Sequence, residues 1–368
     1  MGSDGELADA GGQRLIDAYR MQMLRKAALL IACIAGIVLV VGLLSVHSYS
    51  SISLRESYEV IWNHIAGNEY PRRSDMWWAD TYIWNRAMPH ALAALAAGAG
   101  LACCGSLMQS LMGNPLADPY STGISSGAAL GAIAAIVMGV SVTTLAGGGT
   151  VVNAFLGAMV PAIIIIAISE RISMTPATLI LIGTALSMFF GSLIAIIMVS
   201  TNPESLQEAY LWQVGNMNNI DDFGWDCIPV MLGVTAAGSV VAMLLAGKLN
   251  VMSLGDKSAQ SLGIDVKRFR TLALTLMALM TAAIVAFVGI LGFVGLVCPH
   301  IVRLLTGSDN KFVIPISMAV GAFILLITDY VSVVVGSLPI GVVISCIGAP
   351  IFFLLIVFSR NSGKGALY

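Results

Sequence analysis

Long apolar segments without charged residues alternate along the chain with short polar segments. Four apolar runs, at residues 119–169, 177–203, 227–247 and 271–302, contain no Asp, Glu, Lys or Arg. A bilayer core about 30 Å thick requires roughly 20 apolar helical residues for each crossing. As one helix the run 119–169 would be about 76 Å long, so we expect it to turn back at the glycines 147–149.

This pattern predicts an all-α polytopic membrane protein. We predict an N-terminal segment 1–26, a transmembrane domain 27–358 with a long outside loop 47–86 and an inside loop 248–270, and a tail 359–368. The first span is full length, so we expect it to be retained rather than cleaved as a signal peptide. The ten predicted spans are 27–46, 88–109, 124–140, 151–169, 177–199, 228–246, 271–291, 293–305, 313–335 and 340–358.

Composition supports a membrane protein. Of the 368 residues, 58% are hydrophobic and 10% are charged, whereas soluble domains average about 25% charged residues. The net charge is −2 and no basic tract is present, so nothing indicates a nucleic-acid partner. The cysteines lack the spacing of metal ligands, and we expect them to be small buried apolar residues. They are Cys33, Cys103, Cys104, Cys227, Cys298 and Cys346.

Basic residues predict the orientation of the spans, because Lys and Arg accumulate on the cytoplasmic side. With the N-terminus inside, every Lys and Arg beyond residue 90 falls on the inside, and the outside stretch 203–226 is acidic. Only the long first outside loop, with Arg55, Arg72, Arg73 and Arg86, departs from this rule. We therefore expect both termini in the cytoplasm and the chain in the plasma membrane.

One internal repeat is visible. The residues of the pattern A-x-x-G-x9-P-x6-T-G recur at a constant offset of 184. Because span 2 runs inward and span 7 runs outward, the two halves would be inverted, as in many transporters. The alternative is a chance match between helices rich in Ala and Gly. The matched residues are Ala102, Gly105, Pro115, Thr122 and Gly123 with Ala286, Gly289, Pro299, Thr306 and Gly307.

Motifs of catalysis and of nucleotide or metal binding are missing from the sequence. The histidines at 47, 64, 90 and 300 are scattered, and no HExxH motif is present. Gly247-Lys248 and Gly363-Lys364 lack the remainder of a phosphate-binding loop. We predict no catalytic residue, metal site or cofactor in this chain. Any ATP and Mg²⁺ would be bound by a separate ATPase subunit.

Two acidic residues and one loop are informative. Asp329 lies within a span, where it serves either as a structural hydrogen-bond acceptor or in a proton path. Asp118 follows a break at Asn114 and Pro115 and is expected to cap the next helix. In the loop 248–270, Gly255 and Gly263 bracket a segment with Leu254, Ala259 and Leu262 on one side and Asp256, Lys257, Gln260 and Ser261 on the other. This segment is either a short helix that a partner grips or a solvated loop.

Several segments resemble the FecCD-like permease subunits of type II ABC importers, which take up iron-siderophores, haem and cobalamin. They run in family order over most of the chain. They are Gly113-Asn-Pro-Leu-Ala-Asp-Pro-Tyr120, Gly123-Ile-Ser-Ser-Gly-Ala-Ala-Leu-Gly131, Leu254-Gly-Asp-Lys-Ser-Ala-Gln-Ser-Leu-Gly263, Gly292-Phe-Val-Gly-Leu-Val-Cys-Pro-His300 and Leu338-Pro-Ile-Gly-Val-Val343.

The resemblance implies ten helices in each subunit, a homodimer with the translocation path on its two-fold axis, two cytoplasmic ABC ATPase subunits and an extracytoplasmic substrate-binding protein. A short outer helix is implied within 203–215. The implied ATPase-coupling residues are Ser253, Leu254, Gly255, Asp256, Lys257, Ser258, Ala259, Gln260, Ser261, Leu262 and Gly263. The implied inner-gate residues are Ser173, Met174, Thr175 and Pro176. The matched motifs also place helix junctions at Asn114, Pro115, Asp118, Pro119, Pro299 and His300.

The sequence departs from the family at its outer docking positions. The family pattern Arg-Leu-Pro-Arg reads Ala87-Met88-Pro89-His90 here, an arginine of span 9 is replaced by Val333, and a glutamate by Ser337. The resemblance therefore implies altered docking of the binding protein, with His90 either docking or filling the interface. The expected docking residues are Arg72, Arg73, Arg86 and His90.

Two other classes of function remain open at this point. An ion-coupled secondary carrier with inverted repeats would transport without an ATPase and depend on the proton gradient. A membrane scaffold or receptor would not transport. ATP-driven import of a metal chelate, with iron-siderophore first and haem or cobalamin as close options, is the prediction that the matched segments favour.

Overall fold

The described residues of the computed structural model are 3–48, 52–143, 148–169, 171, 175–336 and 338–361. Within these ranges the chain forms fifteen α-helices, a π-helical turn at Ile83–Ala87 and 3-10 turns at Pro119–Thr122 and Gly224–Asp226. The helices are α1 (Ser3–Ser48), α2 (Leu54–Ile65), α3 (Asp75–Tyr82), α4 (Met88–Met112), α5 (Ile124–Met138), α6 (Gly148–Ser169), α7 (Pro176–Val199), α8 (Pro203–Gln213), α9 (Asn219–Phe223), α10 (Ile228–Met252), α11 (Asp256–Ser261), α12 (Val266–Val288), α13 (Val294–Thr306), α14 (Asn310–Val334) and α15 (Ile340–Asn361).

The ten predicted spans are confirmed as helices. Seven described helical segments are long and apolar enough to cross a bilayer, and they contain α1, α4, α6, α7, α10, α12 and α14. The shorter apolar helices α5, α13 and α15 supply the other three. The chain does reverse between α5 and α6, but the turn expected at residues 147–149 is misplaced, because Gly148 and Gly149 are the first residues of α6. The described part of the connection is 139–143, and residue 147 lies outside the described residues.

Helix α4 lies at the centre of the bundle, packed against α10, α12, α13 and α14. In its most apolar stretch 83% of the residues are buried, against 17% in α7. Small residues allow this close packing. A Cβ atom added to Gly98 would lie 2.3 Å from the carbonyl oxygen of Gly321, and one added to Gly105 would lie 1.7 Å from that of Gly295. Membrane helices pack closely through such small residues because lipid provides no hydrophobic drive between them.

Contacts along α4 show the direction of its neighbours. Gly98 meets Gly321 and Ser110 meets Asn310, so α4 and α14 are antiparallel. Gly100 packs on Ile284 and the Sγ atom of Cys104 lies 3.9 Å from the carbonyl oxygen of Met277, so α4 and α12 are antiparallel as well. We refer to the side of the bundle that carries Asp256–Ser261 as the α11 end, and to the side that carries Asn219–Phe223 as the α9 end.

The antiparallel arrangement of α4 and α12 is the one that an inverted repeat requires. Residue by residue, the sequence repeat matches only in part. Gly123 and Gly307 both follow a threonine at the end of a helix or helical turn and have left-handed φ angles of 82° and 88°. Pro115, however, lies in the connection after α4, whereas its counterpart Pro299 lies inside α13.

The long segment 47–86 is not an open loop, because it folds as a hairpin of α2 and α3. Ser53 and Glu56 form a capping box at the start of α2, an arrangement that satisfies free backbone N–H groups. Val60, Ala79 and Ile83 form a small buried core. The Tyr58 hydroxyl donates a hydrogen bond to the carbonyl oxygen of Val38 in α1. The hairpin therefore packs directly against the bundle through α1.

Candidate functional site

The segment 253–263 at the α11 end is a short helix bracketed by two glycines. Gly255 and Gly263 have φ angles of 96° and 82°, which side chains with a Cβ atom rarely adopt. The carbonyl oxygen of Gly255 accepts a hydrogen bond from the N–H of Ala259 at 3.0 Å. The sequence left a helix and a solvated loop open for this segment, and the structure shows the helix.

The exposed side of this segment carries two leucines. Leu254 is 67% exposed and Leu262 is 64% exposed, although both lie outside the membrane-spanning helices. Ala259 is fully buried in the apolar cluster that contains Leu249, Met252 and Phe269 of α10 and α12. The prediction that Ala259 shares a face with the two leucines is therefore wrong. Ala259 packs against the bundle, and Leu254 and Leu262 remain exposed and available to contact another protein.

An ion pair fixes the start of α11 to the bundle. The Oδ1 atom of Asp256 lies 2.6 Å from the Nη2 atom of Arg270 in α12, whose side chain is 5% exposed. The Asp256 side chain is 36% exposed, so it is shared between this ion pair and solvent. Charge-assisted hydrogen bonds of this length are among the stronger polar contacts. Together, Ala259 and Asp256 hold α11 against the helices that follow and precede it.

A buried polar cluster lies beside α11, between α4, α13 and α14. At its centre is Arg303, which is 5% exposed and donates hydrogen bonds to Gln109 and Ser110 of α4 and to Asn310 of α14. Ser110 and Asn310 are 200 positions apart in the chain, and no motif in the sequence indicates that they are in contact.

The predicted junction at Pro299 and His300 is corrected by the structure. Both residues lie inside α13, which begins at Val294, and His300 packs against Phe352 of α15. Interior prolines normally break helices because they lack an N–H donor, but membrane helices tolerate them where neighbouring groups satisfy the freed carbonyls. The actual break between α12 and α13 is at residues 289–293, where Phe293 has a φ angle of 66°.

The junction at 113–119 is confirmed. Gly113 ends α4 with a left-handed φ angle of 55°, and the side-chain oxygen of Asn114 accepts a hydrogen bond from the N–H of Leu116. Asp118 caps the following turn by accepting a hydrogen bond from the N–H of Tyr120 at 3.1 Å, with Pro119 in the first position. Pro115 lies between these two turns. The side chain of Asp118 is therefore used in capping.

Of the predicted inner-gate residues, Ser173 and Met174 lie outside the described residues. Thr175 caps α7 by accepting a hydrogen bond from the N–H of Thr178, and Pro176 occupies the first turn. The predicted outer helix within 203–215 is present as α8, capped by Asn202.

At the α9 end, Asp221 forms ion pairs with two predicted docking residues. The Nη2 atom of Arg86 lies 3.0 Å from its Oδ2 atom, and the Nε2 atom of His90 lies 3.0 Å from its Oδ1 atom. Burial by itself would raise the pKa of Asp221, but the hydrogen bonds and positive charges of His90 and Arg86 outweigh burial and lower that pKa. The Asp221 carboxylate therefore contributes to stability above its ordinary pKa, and this contribution is lost as the pH falls through the lowered value.

His90 also faces Asp329, the acidic residue within a span. Its Nδ1 atom lies 3.8 Å from the Oδ2 atom of Asp329, and the two side chains are 7% and 1% exposed. The imidazole thus stands between a carboxylate of α9 and one of α14. Because His90 is buried, the prediction that it meets a docking protein is corrected: its side chain joins two parts of this chain. No partner for Asp329 is visible in the sequence, because His90 lies 239 positions away.

Arg72 and Arg73 are exposed in the turn between α2 and α3. With Tyr70, Trp77 and His64 they line an open cavity of about 860 Å³. The ring of His64 stacks on Trp84 at 3.9 Å and its Nδ1 atom lies 2.7 Å from Asp80. Glu69 and Asp80 line the same cavity, so the two arginines lie beside acidic side chains on a well-anchored hairpin, at the end of the molecule opposite α11.

Comparisons with known proteins agree with this geometry. The model of the FecCD transport family matches residues 29–358. The chain is 36% identical over 280 residues to the cobalamin import system permease protein BtuC of Halobacterium salinarum, covering 76% of this chain and 74% of that protein. It is 32% identical over 334 residues to the hemin transport system permease protein HmuU of Yersinia pestis, covering 89% and 96%.

A solved structure has the same fold. It is described as an inward-facing conformation of a metal-chelate type ABC transporter. The two chains are 26% identical and superimpose with a TM-score of 0.76, and the match covers 90% of this chain and 99% of the other. The all-helical bundle is thus the fold of type II ABC importer permeases. With the family match over residues 29–358, the chain belongs to the FecCD transport family.

Proposed function

We propose that this chain is the membrane subunit of an ATP-driven importer that carries a metal chelate across the plasma membrane, with an iron-siderophore as the first candidate and haem or cobalamin as close ones. The observation that carries the proposal is the α11 segment, where two exposed leucines flank a helix that is anchored to the bundle through Ala259 and Asp256. Exposed leucines beside a fixed helix fit a groove on a partner protein.

The partner of this segment is a cytoplasmic ABC ATPase, of which the complex contains two copies. Residues 253–263 then act as the coupling segment, and movement of the ATPase displaces α11. ATP and Mg²⁺ are bound by that partner, so this chain needs no cofactor or catalytic residue of its own. Placing the α11 end in the cytoplasm agrees with its basic residues Lys248, Lys257, Lys267 and Arg268, and it puts both termini there as well.

The functional unit is a homodimer with the translocation path between the two copies. Support comes from α7, the least buried of the long spans. Thr184, Met188 and Ser192 are exposed at intervals of four residues and so lie on one face of this helix. Leu181, Phe189 and Ile196 are exposed on the same helix, so this surface is mainly apolar, and a second copy of the chain would cover it and leave the hydroxyl groups of Thr184 and Ser192 beside the path. Thr175 and Pro176 at one end of α7 border the inner gate, and α8 at the other end borders the outer gate.

The decisive test is uptake by proteoliposomes that contain the chain with its ATPase and its binding protein. Radiolabelled ferric hydroxamate, haem and cobalamin are offered separately, with and without ATP in the compartment of the ATPase. We expect uptake of one class of chelate only when ATP and the binding protein are both present. Uptake that persists without the ATPase and collapses with the proton gradient would establish a secondary carrier instead, and uptake of none of the three would contradict the proposal.

The binding protein docks on the α9 end, where we assign the docking charges to Arg72 and Arg73. Replacing both by glutamate is expected to weaken the affinity for the binding protein about tenfold at low salt, because each exposed pair contributes up to about 1 kcal/mol. The effect should shrink as salt screens the charges. Affinity is measured by the binding of the binding protein to the permease complex in nanodiscs.

The matched control for this prediction is Lys248→Glu, since the Lys248 side chain is exposed and lies at the opposite end. Arg86 is a poorer probe, because its reversal would also break the pair with Asp221. If the double variant and the control bind the binding protein with equal affinity at low salt, Arg72 and Arg73 do not belong to the docking surface.

A further inference from the structure

The buried polar cluster around Arg303 extends to the α11 segment through two asparagines. Asn310 is fully buried at the start of α14. Its backbone N–H and its side-chain Nδ2 both donate to the Oδ1 atom of Asn250, each at 2.8 Å. Asn250 belongs to the last turn of α10, and its carbonyl oxygen accepts a hydrogen bond from the Ser253 hydroxyl at 2.7 Å. A continuous set of hydrogen bonds thus begins at the first residue of the coupling segment.

On the other side of Asn310 the hydrogen bonds continue into α4. The Oδ1 atom of Asn310 accepts from the Ser110 hydroxyl at 2.8 Å and from the Nη2 atom of Arg303 at 3.0 Å. Arg303 itself donates to the Ser110 hydroxyl at 2.7 Å and to the Oε1 atom of Gln109 at 3.2 Å. Gln109 in turn donates to the carbonyl oxygen of Leu296. Four helices, α4, α10, α13 and α14, therefore meet in one buried network.

Packing makes this network a stiff connection. Gln109, Ser110, Arg303 and Asn310 are all at most 5% exposed, so water does not replace a stretched hydrogen bond among them. Asn250 is half-buried, at the edge of this buried set. Buried donors and acceptors that lose their partners cost about 1–3 kcal/mol each. Apolar side chains slide past one another more easily, because dispersion contacts are individually weak and have no fixed partner. When the end of α10 moves, α14 and α4 must follow or break buried hydrogen bonds.

We propose that Asn250, Asn310 and Arg303 form the linkage by which movement of the coupling segment is transmitted to the central helix α4, with Asn250 as a positioning residue. This inference rests on the proposed importer function. Asp256 and Arg270 connect α11 to α12, and the asparagine linkage connects the end of α10 through α14 to α4, the helix on which α10, α12, α13 and α14 all pack. Loss of the linkage uncouples ATP hydrolysis from movement of the path.

The test is Asn250→Leu in the full complex with the ATPase and the binding protein. This change removes the acceptor for both donors of Asn310 and leaves the cluster around Arg303 in place. ATP hydrolysis and uptake are measured together in proteoliposomes, with whichever of ferric hydroxamate, haem and cobalamin the unaltered complex takes up. We expect hydrolysis to continue and the number of chelates imported per ATP to fall about tenfold, as for the loss of one or two net hydrogen bonds.

The chain offers a matched rescue. Asn250 donates from its Nδ2 atom to the Oδ1 atom of Asp309 at 2.7 Å, so Asn250→Asp combined with Asp309→Asn exchanges the amide and the carboxylate and preserves the hydrogen bonds of position 250 with Asn310 and with position 309. The same Oδ1 atom also accepts the capping hydrogen bond from the N–H of Lys311, and an amide NH2 group in its place cannot, so the double variant is expected to lose about 1 kcal/mol of stability at the start of α14. We expect the double variant to recover most of the import per ATP. Asn250→Ala, which removes the same acceptor without added bulk, replaces Asn250→Leu if the latter does not assemble.

Each result decides between a linkage and a merely structural contact. Unchanged import per ATP in Asn250→Leu, or a parallel fall of hydrolysis and uptake together with a lower melting temperature, would overturn the linkage. A double variant that hydrolyses ATP normally and stays folded, but does not recover import per ATP, would overturn it too. If the unaltered complex shows no ATP-driven uptake, the proposed function itself fails, and the inference fails with it.

Discussion

Replacing Gly105 by valine is expected to prevent the bundle from assembling. A Cβ atom at this position would lie 1.7 Å from the carbonyl oxygen of Gly295 and 2.8 Å from its Cα atom, where real Cβ contacts do not fall below 3.0 Å. The obstacle is the backbone of α13, which cannot rotate away as a side chain could. Since overpacking of an ordinary core already costs about 1–3 kcal/mol, we expect at least that cost here.

The measurement for this prediction is the yield of monodisperse protein in detergent and its melting temperature. Gly233 in α10 is the matched control, because a Cβ atom there meets nothing within 4 Å. Gly233→Ala should leave the melting temperature unchanged or raise it slightly, since alanine is the better helix former by about 1 kcal/mol. If the Gly105→Val protein has the same melting temperature as the unaltered chain, α4 and α13 are farther apart than the structure shows.

Replacing Leu254 and Leu262 together by aspartate is expected to abolish binding of the ATPase while the permease stays folded. Both side chains are exposed, so the folded chain loses little. Each leucine that becomes buried against a partner contributes about 2 kcal/mol. The pair therefore accounts for about 4 kcal/mol, which corresponds to about a thousandfold in affinity. Co-purification with the ATPase and ATP-driven uptake should both be lost.

Leu254→Met with Leu262→Met is the conservative control, because methionine keeps the apolar surface and adapts to an irregular groove. It should bind the ATPase nearly as well as the unaltered chain. If the aspartate variant still co-purifies with the ATPase, the exposed leucines do not form the contact, and the surface that carries Lys257, Gln260 and Ser261 would have to be tested next.

The ten spans could be predicted because lipid imposes a strict rule. A chain in hydrocarbon must satisfy its backbone hydrogen bonds within each helix, so long uncharged runs identify the spans without knowledge of their packing. The segment 47–86 follows no such rule. Its helices α2 and α3 are short and partly polar, and they are stabilised by a capping box and by contacts with α1 that a reading of hydrophobicity does not detect.

The candidate site was predictable where it depends on local sequence. Gly255 and Gly263 mark the limits of the α11 segment, and Asp118 caps the turn that follows it in the chain. Contacts between distant helices were not predictable. Which residue meets Asp329, or which helix Arg303 joins, depends on how α4 is placed among its neighbours, and one sequence does not specify that. The misplacement of Ala259 has the same origin, because its small side chain fits the bundle only once α10 and α12 are packed.

The continuous helical stretch from Asp75 through the π-helical turn to Met112 has a mechanical consequence. It contains 38 residues and is about 57 Å long, nearly twice the thickness of the bilayer core. Two backbone contacts, of Gly98 with Gly321 and of Gly105 with Gly295, hold its buried half in place. Helices bend at π-bulges, so we expect the turn at Ile83–Ala87 to absorb sideways movement of the hairpin rather than pass it to α4.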